Sequence, residues 1–204
     1  TLTFDESKPL FNRAVMSKYP PGSTWKMLVA IGALQDKILD PNSTIACGGS
    51  FQYGGRSYGC HGAHGSVNVV KAIQASCNVF FYKLGLKLGL ARMNYYAHLF
   101  GFGEKTNIDL PDESKGFFPS PEWVTKKFGH GAINGRLVNY GIGQGEIGVT
   151  PIQMAVYVSA LANKGFIVQP HTVKSVYNPT SGVFEDLEFK TRELPIDKKV
   201  FDIV

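Results

Sequence analysis

No stretch of this 204-residue chain reaches the roughly 18 apolar residues that a membrane span requires, so no part of it is expected to cross a bilayer. The residues from Thr1 onward are not expected to form a signal peptide. Repeats, low-complexity tracts and a clear linker are all missing, which leaves one domain with enough chain for a sizeable core. Charge is modest: at 18% charged and 44% hydrophobic the composition is ordinary for a globular domain. The net charge of +5 would suit an anionic surface, but a solvated basic exterior accounts for it, and no nucleic-acid motif is present. Cysteine is scarce, and all three residues fall within one stretch of 31 positions, from Cys47 to Cys77.

The most informative stretch is Pro20-Pro21-Gly22-Ser23-Thr24-Trp25-Lys26. Proline and glycine set a turn, and the apolar run Met27 to Leu34 that follows predicts a helix buried on most sides. Ser23 then lies at the helix start with Lys26 three positions on, and positions i and i+3 share a face. A lysine at the mouth of an apolar helix is poorly solvated, which favours its neutral, proton-accepting form. The pair reads as a serine nucleophile with its own base. One Ser-x-x-Lys in 200 residues is also what chance supplies, and the plain alternative is an N-cap serine beside a solvated lysine.

A second polar group tips that balance. Ser66 to Ala75 predicts a helix capped by Ser66, ending at Ser76-Cys77-Asn78, after which the apolar run Val79-Phe80-Phe81-Tyr82 begins. A polar triplet between two buried helices is costly unless its groups have partners. It can present the Ser76 hydroxyl and the Asn78 carboxamide side by side in a cleft.

Ser-x-x-Lys together with Ser-x-Asn resembles the signature of the penicillin-recognising serine acyl-transferases. Three stretches narrow the likeness: Tyr19 to Lys26, Ser76 to Tyr82, and Gly143-Gln144-Gly145-Glu146 running on to Thr150-Pro151-Ile152-Gln153-Met154-Ala155. Over about Lys8 to about Pro170 the chain is similar to the penicillin-binding protein 2 group, the class B peptidoglycan transpeptidases of cell elongation. That resemblance implies an α/β penicillin-binding transpeptidase (β-lactamase-like) fold, here dominated by its helical part. It implies acyl transfer from stem peptides through an acyl-serine, with no cofactor needed, and β-lactams as inhibitors. Ser23, Lys26, Ser76 and Asn78 take the catalytic positions, Ser76 and Asn78 also touching substrate, and the Ser23 N–H serves as one oxyanion donor. The setting it implies is the periplasmic face of the bacterial inner membrane, beside elongation-complex membrane proteins.

The group's third motif, Lys-Ser/Thr-Gly, is not in the sequence; Lys105-Thr106-Asn107 lacks the glycine. The expectation is that residues 1–204 form a partial transpeptidase domain, an internal piece without the Lys-Thr-Gly strand, pedestal domain or membrane anchor. A β-lactamase or β-lactam sensor shares Ser-x-x-Lys but is expected to lack the stretch from Gly143 to Ala155. A third reading is a non-catalytic, zinc-stabilised interaction module.

Elsewhere the pattern is mostly helical. Helices are expected over Phe80 to Leu90 and Ala91 to Phe100, ended by Gly101-Phe102-Gly103, and a loop over Asn107 to Ser120. Gly141 to Gly148 resembles a phosphate-cradling loop, but it has no preceding strand and no Lys-Ser/Thr ending, so close backbone packing beside the cleft is the reading taken. Thr150-Pro151 predicts a capped helix to about Asn163. Ile167 to Tyr177 and Val183 to Phe189, joined through Asn178 to Gly182, predict a β-hairpin.

Cys47, Cys60, His64 and Cys77 follow the spacing Cys-x12-Cys-x3-His-x12-Cys, a complete set of four tetrahedral ligands for zinc. Gly48 to Gly65 is glycine-rich and short of apolar residues, and a metal can replace the core that such a loop lacks. Some relatives of the resembled group carry zinc beside this motif, which adds weight. Two rivals stay open: a Cys47–Cys60 disulfide with Cys77 as a buried thiol, and His61 in place of His64.

Overall fold

The computed structural model describes residues 5, 6 and 8–204; Thr1, read above as beginning no signal peptide, lies outside them. After a short helix α1 (Arg13–Met16), a 3-10 turn over Gly22–Trp25 leads into α2 (Lys26–Gln35), the helix around which the rest is arranged. Leu28, Val29 and Ile31 have no exposed surface, each worth about 1.5–3 kcal/mol of burial. They pack against α4 (Asn78–Leu99), whose Phe80, Phe81 and Leu84 are equally buried. Asp36, just past α2, is clamped by Arg92 of α4 at 2.5 and 2.6 Å and accepts from Tyr96 Oη at 2.7 Å.

Between α2 and α4 the chain forms two antiparallel ladders. β1 (Ile45–Cys47) pairs with β4 (Gly65–Val67), and inside them β2 (Ser50–Tyr53) pairs with β3 (Arg56–Gly59). The segment expected as a glycine-rich loop is therefore ordered by backbone pairing. Ser66 lies in β4, opposite Ala46, so it does not cap the next helix. Asn68 does, accepting from the Lys71 N–H at 3.0 Å, and α3 (Val69–Gln74) starts later than expected. Two cap-type residues stand two apart, and strand pairing decides between them.

Helix α4 matches the two helices expected across residues 80–100, broken at Gly89, where φ is +76°. Only glycine tolerates that conformation without strain. α5 (Pro121–Phe128) and α6 (Ala132–Tyr140) follow the loop, and α6 packs along α4. α7 (Pro151–Ala162) opens with the expected Thr150 cap and Pro151 first position, and Gln153 completes a capping box.

The predicted hairpin is present at its inner end, where β6 (Ser175–Asn178) pairs with β7 (Val183–Asp186). Its outer part is a separate ladder, β5 (Phe166–Val168) with β8 (Thr191–Glu193), so the long strands read from sequence are interrupted. A last helix, α8 (Lys198–Ile203), capped by Asp197, touches α2. Among the described residues no helix is long and apolar enough to cross a membrane.

Candidate active site and adjoining cysteine cluster

One turn of chain delivers Ser23 and Lys26 together. Lys26 Nζ lies 3.3 Å from Ser23 Oγ, as the i, i+3 spacing required. The turn is anchored from behind, because the Gly22 N–H donates to Gly143 O at 3.0 Å. Gly143 has φ +69°, and a Cβ built on it would stand 2.6 Å from Trp25 Cβ. The expected close packing of the glycine stretch is realised at this point.

Ser76 and Asn78 arrive from 50 and 52 positions away. Lys26 Nζ is 2.9 Å from Ser76 Oγ and donates to Ser76 O at 2.8 Å and Asn78 Oδ1 at 2.6 Å. The Ser76 hydroxyl donates to Ser23 Oγ at 3.0 Å. All four residues singled out from the sequence thus meet around one nitrogen. Ser76 has φ +48°, a left-handed conformation that costs a non-glycine residue about 1–2 kcal/mol. The Lys26 bond to its carbonyl and the Cys77 N–H donated to Ala72 O at 2.8 Å hold it there.

Lys26 is only 2% exposed. Burial lowers its pKa below the usual 10.5, while negative charge on Cys60 and Cys77 works in the opposite direction. Hydrogen-bond capacity accommodates both protonation states, with Ser23 Oγ, Ser76 O, Ser76 Oγ and Asn78 Oδ1 all within reach of Nζ. An ammonium has three N–H groups, whereas a neutral amine has two and a lone pair. Ser76 O and Asn78 Oδ1 have no proton to give, so they use both N–H groups of the neutral amine. In that form its lone pair is left for the Ser23 hydroxyl, since the Ser76 hydroxyl donates to Ser23 Oγ.

Two members of the site were not legible in the sequence. Gly59 O, at the end of β3, accepts from Asn78 Nδ2 at 3.4 Å and from Tyr82 Oη at 3.0 Å, which orients the carboxamide. Tyr82 stands one helical turn after Asn78, and that i, i+4 spacing was the available signal. A backbone carbonyl leaves none.

The β1–β4 and β2–β3 ladders bring the ends of their strands to the same place. Cys47, Cys60, His64 and Cys77 offer ligand atoms that all lie within 4.8 Å of one another. His64 Nδ1 is 3.5 Å from Cys47 Sγ and 3.6 Å from Cys60 Sγ, and Cys60 Sγ is 4.0 Å from Cys77 Sγ. A tetrahedral zinc with Zn–S of about 2.3 Å and Zn–N of about 2.0–2.1 Å requires about 3.6 Å for S···N and about 3.8 Å for S···S. The donor set fits a metal ion, and His64 rather than His61 completes it. The three cysteines are free thiols here.

The cluster reaches the Ser23–Lys26–Ser76–Asn78 group directly, since the Asn78 N–H donates to Cys60 Sγ at 3.1 Å. Burial opposes ionisation of Cys60, but N–H groups of Val79, Gly62 and Asn78 outweigh it and bring its pKa down to about 6. Cys77 is pushed up to about 12, chiefly by burial.

A family model described as the penicillin binding protein transpeptidase domain matches residues 2–204. The peptidoglycan D,D-transpeptidase MrdA of Acinetobacter baumannii is 40% identical over 174 residues, covering 83% of this chain and 26% of that protein. MrdA of Escherichia coli is 36% identical over 84% of this chain and 28% of its own length. The chain therefore spans about a quarter of these curated relatives. Penicillin-binding protein 2 of Helicobacter pylori superposes with a TM-score of 0.85 at 30% identity, covering 99% of this chain and 37% of that one. Its complex with MreC gives 0.82 at 30%, with the same coverage. Pseudomonas aeruginosa PBP2 in complex with WCK 5153 gives 0.80 at 32%, over 99% of this chain and 46% of that one.

Proposed function

This chain belongs to the penicillin-binding protein transpeptidase domain family, and from that footing we propose that it carries the acylation centre of an elongation-type peptidoglycan D,D-transpeptidase. Residues 1–204 are read as part of a larger transpeptidase domain that also needs a Lys-Ser/Thr-Gly strand. The observation that supports the reading is the ring of four oxygens around the buried Lys26 nitrogen.

In this mechanism the Lys26 lone pair takes the Ser23 proton, directly or through Ser76, as Ser23 Oγ attacks the penultimate D-Ala carbonyl of a stem peptide. The oxyanion that forms accepts from the Ser23 N–H, which has no intrahelical acceptor of its own at the first turn. The peptide C–N bond breaks, and Ser76 passes the proton from Lys26 to the departing D-Ala amine. The amine of a neighbouring stem then attacks the acyl-serine ester, gives its proton back through Lys26 and Ser76, and leaves Ser23 free with the cross-link made. Asn78 Nδ2, held only at 3.4 Å by Gly59 O, is available to a substrate amide carbonyl. A β-lactam enters as a D-Ala-D-Ala mimic and stays on Ser23.

Cys47, Cys60, His64 and Cys77 are proposed to hold a zinc ion. With four protein ligands it would be structural, fixing the β-ladders against Asn78 and supplying no group to the acyl transfer. The Helicobacter pylori complex with MreC supports elongation-complex membrane proteins as partners, and the relatives' activity supports a periplasmic, membrane-anchored setting. The test is D-Ala release from a stem-peptide mimic by the complete protein. Lys26→Met is expected to reduce it by about 10²–10⁴-fold, and wild-type turnover in that variant would reject the base assignment.

A further inference from the structure

Two cavities adjoin on a face of the molecule that contains none of Ser23, Lys26, Ser76 or Asn78. The first, about 410 Å³, is floored by Phe100, Val156 and Ile167. The second, about 520 Å³, has Asn94 and His98 on its wall. Glu104 and Arg192 line both, so the two make one elongated groove. A volume of this size suits a ligand of several residues or a drug-sized molecule, and apolar floors with a few convergent polar groups are typical of such sites.

Its charge is one-sided. Lys105, Lys190 and Arg192 line the groove against the one carboxylate of Glu104. Among the described residues neither lysine forms an ion pair. Arg192 commits one Nη2 to Leu99 O at 2.7 Å, which fixes the guanidinium at the junction of the two cavities with donors to spare. The rim opposite is set by Gln169 Nε2, which donates to Asn107 O at 2.6 Å. Asn94 and His98 add polar side chains to the wall of the second cavity.

We propose that this groove is a second peptide site that takes an acidic stem peptide. Its carboxylates would pair with Lys105, Lys190 and Arg192, and its small aliphatic side chains would rest on Val156 and Val168. The choice of a stem peptide rests on the transpeptidase reading above, in which such chains are the substrate class. The groove is separated from the nucleophile by packed side chains. Phe100 meets Tyr157 edge-on at 5.1 Å, and the Tyr157 hydroxyl donates to Thr24 O at 3.3 Å. A strand could therefore be held here while another reacts at Ser23.

The test uses the complete protein with Ser23 first blocked by penicillin, titrated calorimetrically with the tripeptide L-Ala-γ-D-Glu-L-Lys. Saturable one-site binding is expected, weakening as salt is added. It should fall at least 10-fold in Lys105→Glu/Lys190→Glu while penicillin still labels that variant at the wild-type rate. No binding to the blocked protein, or equal binding by the double variant, overturns the proposal. So does binding of an all-L Asp/Glu tripeptide in preference, which would mark a protein partner's site. If penicillin fails to label Ser23, the transpeptidase reading fails separately, and the same titration on Ser23→Ala still decides the groove.

Discussion

Replacing Gly143 by alanine tests the frame that aims Ser23. The residue has φ +69°, and an added Cβ would lie 2.6 Å from Trp25 Cβ and 2.9 Å from Gly22 N. The left-handed conformation costs alanine about 1–2 kcal/mol, and forcing a methyl into a filled site adds about 1–3 kcal/mol. The sum, about 2–5 kcal/mol, corresponds to a melting point lowered by roughly 4–20 °C at about 2–4 °C per kcal/mol for a domain of this size. Two other glycines isolate the contributions. Gly54 has φ +56° with nothing within 4 Å, so Gly54→Ala should show only the conformational cost. Gly135 lies inside α6 in open space, so Gly135→Ala should stabilise by about 0.5–1 kcal/mol. Thermal unfolding of the three variants gives the order, and penicillin acylation gives the consequence. Because Gly143 O holds the Gly22 N–H beside Ser23, its variant should also acylate at least about 10-fold more slowly, since small misplacements at a reacting centre cost up to about 10²-fold. Melting and acylation of Gly143→Ala within error of wild type would refute the reasoning.

Two further outcomes concern ionisation. Acylation should rise with pH as Lys26 loses its proton, and because burial lowers that pKa the midpoint of the rise should fall below 10.5; a pH–rate profile with its midpoint at or above that value contradicts a neutral, buried base. In metal-free protein, iodoacetamide near pH 7.5 should modify Cys60 first, because its pKa is about 6 and it is less buried than Cys47 and Cys77. Zinc should suppress the labelling. The depressed Cys60 pKa also makes a stability contribution that is complete above the unfolded value near 9 and is lost as pH falls through about 6. Metal-free protein should therefore unfold more easily at pH 5 than at pH 8, and alkylation led by Cys77 would reject this ordering.

What the sequence disclosed, it disclosed through local geometry. Ser23 and Lys26 share one turn, so their spacing alone places Oγ near Nζ. The Thr150 cap and the Pro151 start of α7 are likewise properties of adjacent residues, whereas the helix boundary expected at Leu90 and Ala91 lies at Gly89. Ser76 and Asn78 stand 50 and 52 positions from Lys26, and no periodicity connects them; only a family resemblance did. The four ligands Cys47, Cys60, His64 and Cys77 were legible as a set, but their scaffold was not. β2 does alternate, with Phe51 and Tyr53 half-buried, and Gly54-Gly55 is a two-residue hairpin signal that went unread because β3 lacks the matching pattern. The contributions of Gly59 O and Ser76 O are main-chain oxygens, invisible to any reading of side chains. α8 had a signal that went unread, Asp197 as a cap before a short amphipathic run.

The most direct measurement is mass spectrometry of the complete protein after exposure to a penicillin. The account predicts one covalent adduct, mapped by proteolysis to Ser23 and absent from Ser23→Ala. An adduct on another residue, or one that survives in Ser23→Ala, would contradict it.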